Sequence, residues 1–257
     1  MRVLAPAKLT VSLRVTGVRP DGYHELDAEM VTLDLADELV FEDGEGGLSV
    51  TAADGIRTDA LPPPADNLIA RALVACGRTA TVQLCKRIPL GGGLGGGSAD
   101  AAAVLRWAGQ TDPVVAARLG ADVPFCVTGG RARVEGIGER VTPLDFEARD
   151  YLLLLPPFGV DTAGVYRAWD AAPSHEGPNE LAGAALSAEP RLARWGDAFG
   201  ELTGIVPRLA GSGSSWFVEG GPHGAGTEEI PELRVGGETG RLVRARTVPA
   251  GWDGDGA

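Results

Sequence analysis

At 257 residues, 44% of them hydrophobic and 23% charged, the chain can hold one large domain or two ordinary ones and build a real core, which excludes intrinsic disorder. Its net charge of −12 excludes general binding to nucleic acid or anionic membranes, which depends on clustered Lys and Arg. The three cysteines, Cys76, Cys85 and Cys126, are odd in number and lack Cys-x-x-Cys spacing. Neither a disulfide framework nor a zinc site fits them, and buried, reduced thiols are expected.

The N-terminus does not read as a signal peptide, because Arg2, Lys8 and Arg14 interrupt its apolar residues. Residues 9–16 alternate apolar and polar, which predicts a half-buried strand. Arg19-Pro-Asp-Gly22 is a turn signal, and a second strand is expected from residue 30 to about residue 41. Further strands are expected at 48–51 and 80–86, with a helix over 67–76. After the glycine-rich segment comes a helix begun by Ser98 as N-cap, with Asp100 in its first turn and Gly109 as its stop. A short helix is predicted at 113–119 and strands at 123–127 and 131–141. Residues 151–155 are a continuous apolar run ended by Pro156-Pro157, the mark of a strand buried on both faces. The apolar stretch 151–160 is too short to span a bilayer, and a cytoplasmic location is expected. A domain boundary is placed near residue 147, giving 1–147 and 148–257. Two helices broken at Pro190 are expected over 178–204, then a small-residue loop at 211–215, a strand at 216–219 and a last strand at 242–248. Residues 220–240 show no period, and the Gly/Asp tail reads as frayed. The fold class is α+β.

Six of the seven positions from Gly91 to Gly97 are glycine. Glycine loses the most backbone freedom on folding and adds no side chain to a core, so a run this dense implies a need for bare backbone. Feeding a helix, it presents unpaired N–H groups and a positive dipole end to an anion, the makings of a phosphate cradle. Gly91, Gly93 and Gly96 match the dinucleotide fingerprint, and Asp112 lies at about the right distance. However, residues 106–112 are no hydrophobic strand ending at that acid. The P-loop pattern lacks its lysine before Ser98, and the protein-kinase pattern lacks a lysine strand after the loop.

Pro6-Ala-Lys-Leu-Thr10, Pro89–Ala102 and Gly211-Ser-Gly-Ser-Ser215, in this order and spacing, resemble the kinases of the galactokinase, homoserine kinase, mevalonate kinase and phosphomevalonate kinase (GHMP) superfamily. Arg19-Pro-Asp-Gly-Tyr-His-Glu-Leu26 and Leu119-Gly-Ala-Asp-Val-Pro-Phe125 narrow the resemblance to the branch acting on 4-diphosphocytidyl-2-C-methyl-D-erythritol. The resemblance covers most of residues 1–145, and more thinly 151–181, 211–218 and the final strand. It implies an N-terminal domain like ribosomal protein S5 domain 2, then a ferredoxin-like C-terminal domain, with the site in the cleft between them.

The implied activity is ATP-dependent phosphorylation of the substrate's 2-hydroxyl, in the non-mevalonate route to isoprenoid precursors. The alternatives are a sibling kinase of the homoserine or mevalonate type, or a catalytically silent nucleotide-binding regulator. By resemblance Lys8 and Asp122 are the catalytic pair; from sequence alone Lys8 could be a solvated charge and Asp122 a turn or helix cap. ATP is assigned to Pro89, Leu90, Gly91, Gly92, Gly93, Leu94, Gly95, Gly96, Gly97, Ser98 and Ala99. The cytidylyl substrate is assigned to Thr10, Tyr23, His24, Thr162 and Tyr166, with Tyr23 and Tyr166 sandwiching the cytosine and His24 bonding its edge. Ser212 and Ser214 are secondary candidates. Mg²⁺ is expected to arrive with ATP, keeping several waters and touching few side chains. A monomer or weak homodimer is expected. Thr10 stands where the family often has asparagine, and the stretch between Leu105 and Leu119 is shorter than usual. Asn67, Lys86 and Asn179 are polar positions with no assigned role.

Overall fold

The computed structural model describes all residues except 54–55, 57–62, 64–65, 221–231 and 255–257. Two long strands, β1 (Arg2–Val18) and β2 (His24–Glu42), pair antiparallel along nearly their whole length. β3 (Gly47–Ala52), α1 (Leu68–Ala75), β4 (Thr81–Lys86) and α2 (Gly96–Trp107) follow. Then come α3 (Pro113–Leu119), α4 (Val123–Thr128), β5 (Arg131–Gly136) and β6 (Arg140–Leu144). With β1 occupying one edge of β2, the other edge takes β4 along residues 38–42 and β5 along residues 26–31. β3 joins β4 in parallel and β6 closes the far side, making a sheet of six strands. β2 is the spine because only a 19-residue strand can carry two partners end to end.

The second sheet is drawn from residues 150–246 and is antiparallel throughout, in the order β10-β11-β7-β9-β8. Its strands are β7 (Asp150–Leu155), β8 (Arg208–Leu209), β9 (Trp216–Glu219), β10 (Leu233–Val235) and β11 (Glu238–Arg246), with α5 (Thr162–Ala171), α6 (Ala182–Ala188) and α7 (Arg191–Thr203) between β7 and β8. The apolar run 151–155 is the central strand, buried at every position. The buried residues of both halves form one continuous apolar cluster.

Backbone bonds stitch the first sheet to segments of the C-terminal half. Leu13 N–H donates to Pro178 O at 2.9 Å, Glu180 N–H to Leu13 O at 3.0 Å, and Val248 N–H to Thr32 O at 3.0 Å. Residues 249–254, expected to fray, lie against the first sheet: a Cβ on Gly130 would meet Ala250 N at 3.0 Å. The last three tail residues and most of the irregular stretch 220–240 fall outside the described residues.

The expected helices at 67–76, 113–119 and 178–204 form, the first capped by Asn67 and the second by Asp112. The expected strand at 123–127 is instead α4, a helix opened by Pro124; six residues are too few to show a helical period, and the proline was the better signal. The expected single strand 131–141 is a hairpin, turned at 137–139 by the positive φ of Gly136 and Gly138. α5 was not foreseen, although Asp161 caps it through bonds from the Ala163 and Gly164 amides. Cys126 is buried as expected, but Cys76 and Cys85 are only half-buried.

Gly240 is where α7 meets its sheet: a Cβ there would fall 2.5 Å from the ring of Trp195, which is fully buried. Gly240→Val is therefore expected to lower stability by about 1–3 kcal/mol through overpacking, measured as a lower urea midpoint at unchanged slope.

Candidate active site

The glycine loop is built around three left-handed residues, Gly91, Gly93 and Gly95, at φ of 68°, 74° and 68°. α2 begins at Gly96 with Gly95 in the N-cap position, two residues inside the glycine run. Ser98, expected to be the cap, lies instead in the first turn, because left-handed Gly95 turns the chain into the helix earlier than a side-chain cap would. The first amides of an α-helix have no intrahelical acceptor; here they belong to Gly96, Gly97 and Ser98, and the Ala99 amide is the first to close a turn, onto Gly95 O at 2.8 Å.

Three other segments lock this loop in place. Lys8 N–H donates to Leu94 O at 3.0 Å, Val160 N–H to Gly91 O at 3.3 Å, and Ser215 N–H to Gly92 O at 3.1 Å. A Cβ on Gly93 would come within 2.5 Å of Ala210 O and 2.6 Å of Gly213 O. One on Gly92 would crowd the ring of Pro89 at 3.2 Å. Leu94 and Ala99 are fully buried, and Leu90 is half-buried. The 211–215 loop thus packs directly on the glycine loop.

Lys8 and Thr10 lie two apart on β1, on the same face, between register shifts at 6–8 and 10–12. Lys8 is 5% exposed. Its Nζ donates to Thr10 Oγ1 at 3.0 Å and lies 3.5 Å from Asp122 Oδ2. Asp122 precedes α4 with φ −85° and ψ −11°, and its side chain makes no capping bond. Because the carboxylate is not consumed by capping, it faces the buried ammonium with about a third of its side chain open to solvent. Behind the pair, burial pushes the Cys126 thiol up to about 12, so it stays a neutral packing group.

Tyr23 stands 60% exposed on the turn between β1 and β2. The His24 ring stacks on Tyr166 of α5 at 4.5 Å, with Trp169 edge-on at 5.6 Å, and its Nε2 meets Asp170 Oδ1 at 2.7 Å. His24 therefore covers one face of Tyr166. Burial, and secondarily the charge of Asp122, raise the Tyr166 hydroxyl's pKa. Thr162 starts α5 and shares a hydrogen bond with Ser212 at 3.0 Å. Ser214 is turned away, donating to Phe158 O at 2.6 Å.

Sequence reasoning gave no role to three groups that hold this arrangement. Asn179 donates to Leu209 O at 2.9 Å and Gly211 O at 2.8 Å, fixing the 211–215 loop. Arg106 donates to Cys126 O at 2.6 Å and Leu4 O at 2.8 Å, tying α2 to α4 and β1. Lys86 is buried against Asp37 and Asp100. The readable signal for Lys86 was a lysine in register with inward Val82 and Leu84 on β4. Among the described residues no group of three or more His, Cys, Asp or Glu could hold a metal ion.

The chain is similar to proteins of known class. The family model for the N-terminal domain of GHMP kinases matches residues 67–130, the span from α1 through α4. A mevalonate kinase from L. major, solved with R-mevalonate, shares the fold at a TM-score of 0.60 and 12% identity, over 97% of this chain and 96% of that one. A solved 4-(cytidine 5'-diphospho)-2C-methyl-D-erythritol kinase agrees further, with a TM-score of 0.67 and 35% identity over 84% of this chain and 89% of that one. The 4-diphosphocytidyl-2-C-methyl-D-erythritol kinase of Paracoccus denitrificans is 38% identical, over 84% of this chain and 85% of its own. That of Methylibium petroleiphilum is 34% identical, over 98% and 92%. The chain belongs to the 4-diphosphocytidyl-2-C-methyl-D-erythritol kinase family, within the GHMP kinases.

Gly93→Ala tests the interlock. Both obstructing atoms are backbone carbonyl oxygens and φ is +74°, so relief requires moving one loop. ADP affinity, measured by titration calorimetry, is expected to fall about 5- to 150-fold, matching strain of about 1–3 kcal/mol.

Proposed function

We propose that this chain transfers the γ-phosphoryl group of ATP to the 2-hydroxyl of 4-diphosphocytidyl-2-C-methyl-D-erythritol, making ADP and a phosphate monoester in the non-mevalonate route to isoprenoid precursors. The observation that carries the reading is the Lys8–Asp122 pair at the mouth of the glycine loop, in a chain whose relatives of that name match it over most of their length. In this reading the amides of Gly96, Gly97 and Ser98 hold the polyphosphate at the positive end of α2. Asp122 orients the acceptor hydroxyl and takes its proton as the oxygen attacks phosphorus. Lys8 stabilises negative charge on the phosphoryl group in transit. Mg²⁺ enters with ATP, held chiefly by phosphate oxygens and water.

Tyr23 and the free face of Tyr166 take the cytosine between them. The His24 side chain braces Tyr166 while its backbone meets the base edge, and Thr162 and Thr10 line the path to the methylerythritol. The chain divides near residue 147 into an N-terminal domain carrying the ATP loop and catalytic pair and a C-terminal domain closing over them. It works in the cytoplasm as a monomer or weak homodimer, on small molecules alone.

Incubation with ATP, Mg²⁺ and the cytidylyl substrate should yield ADP and a new phosphate monoester; turnover of homoserine or mevalonate instead would refute the assignment. Asp122→Asn is expected to lower kcat by about 10²–10⁴-fold, the range for a lost general base, with ADP affinity nearly unchanged. A mild loss of kcat would remove Asp122 from the chemistry. Tyr166→Ala should raise KM for the cytidylyl substrate by about 5- to 150-fold, as for one lost base stack of about 1–3 kcal/mol, while leaving KM for ATP alone.

A further inference from the structure

β4 delivers Lys86 into the interior, where its Nζ donates to Asp37 Oδ2 and, at 2.9 Å, to Asp100 Oδ2. Asp37, Lys86 and Asp100 are 0%, 1% and 4% exposed. Two carboxylates and one ammonium would leave a net negative charge where almost no water reaches. The two acids are not equivalent. Asp37 is fully engaged, with Lys86 on Oδ2 and the backbone amides of Arg87 and Ile88 on Oδ1. Asp100 has Lys86 on Oδ2, but its buried Oδ1 has no partner. A carboxylate with one bare oxygen is the poorer anion, so of the two acids Asp100 takes a proton more readily.

This cluster lies directly beneath the phosphate cradle. A Cβ on Gly96 would sit 3.1 Å from Lys86 Nζ, so only bare backbone separates the cluster from the first amides of α2. Asp100 is one turn further along the same helix, and helical side chains lean back toward the N-terminus. Other charged groups approach from each packed element. β1 brings Lys8, whose stem a Cβ on Gly95 would meet at 2.7 Å. α4 brings Asp122, paired with Lys8, and Cys126, whose thiol titrates only at about 12. α2 itself brings Arg106, while Arg71 of α1 and Arg118 of α3 are exposed.

We propose that Asp100 is a positioning residue for nucleotide binding: it takes up a proton when polyphosphate occupies the start of α2, so that the cluster behind the phosphates becomes neutral. The proposal rests on reading the glycine loop as the ATP site. Burial pushes the Asp100 carboxyl up to about 7. Burial pulls Lys86 down, but Asp100 and Asp37 more than offset this and raise it, so Lys86 remains charged. The sign follows. Below about pH 7 Asp100 already holds its proton and nucleotide binds without uptake. Above it, binding must bring a proton in, and affinity falls as pH rises.

Calorimetric titration of the full chain with MgADP, in buffers of different ionisation heat, measures the uptake directly. Wild type is expected to take up a fraction of a proton per ADP at about pH 8 and almost none at about pH 6, with Kd weakening about three- to tenfold over that range. Asp100→Asn, a neutral isostere, should bind ADP with that uptake gone and a flat pH profile. If this variant does not fold, the wild-type curve decides, since no uptake at any pH overturns the proposal. Equal uptake in wild type and Asp100→Asn overturns it while leaving the nucleotide site intact. Failure of wild type to bind ADP at all refutes the glycine-loop reading and the proposal with it.

Discussion

The amides at the start of α2 are held by a contact in which loops from the two sheets approach more closely than any side chain permits, Gly93 lying against the carbonyls of Ala210 and Gly213. From that contact the rest of the site takes its placement. The 211–215 loop bonds to Gly91 and Gly92, Asn179 holds that loop from behind, and Leu94 O receives the amide of Lys8. The loop that leads into the first amides of α2 is thereby fastened to the strand that carries Lys8. A displacement of either loop would move the first amides of α2 and the Lys8 ammonium together.

Electrostatics sets the second constraint. A chain of net charge −12 must attract a polyanion locally, through a helix terminus and a few cations. Two lysines approach the adjacent residues Gly95 and Gly96 from different strands, Lys8 by its stem and Lys86 by its ammonium. Each is buried and each is matched with carboxylate, so neither ammonium is a mobile surface charge, and the net attraction is left to the first amides of α2. Arg106, bonded to carbonyls on α4 and β1, keeps the elements bearing Asp122 and Lys8 at a set separation.

How far the sequence could be read depended on what each feature leaves in the pattern. Strands with alternating or continuous apolar residues, and helices with Asn67 or Asp112 before them, were legible because local chemistry specifies them. The glycine loop was legible as bare backbone, but not its boundary with α2: the helix starts at a left-handed Gly95 whose Cβ position is closed by the Lys8 stem, a contact from a distant strand that the local pattern does not show. Lys8 and Asp122 were legible only through resemblance, since a lone lysine and a lone aspartate carry no period. The Asp37–Lys86–Asp100 cluster joins residues 14 and 49 apart from Lys86, and only the folding of β2, β4 and α2 together brings them into contact. The His24–Tyr166 stack, between the first turn and α5, was missed for the same reason.

Asp122 occupies the residue before α4, where an aspartate would ordinarily bond the first amides of a helix, yet it makes no such bond and faces Lys8 instead. A capping side chain is worth about 1 kcal/mol to a helix, so the fold forgoes that stabilisation to keep a carboxylate free at the cleft. Position 122 is thus a point where capping the helix and pairing with Lys8 exclude one another: a side chain turned back onto the α4 amides would leave the buried ammonium without its partner at 3.5 Å.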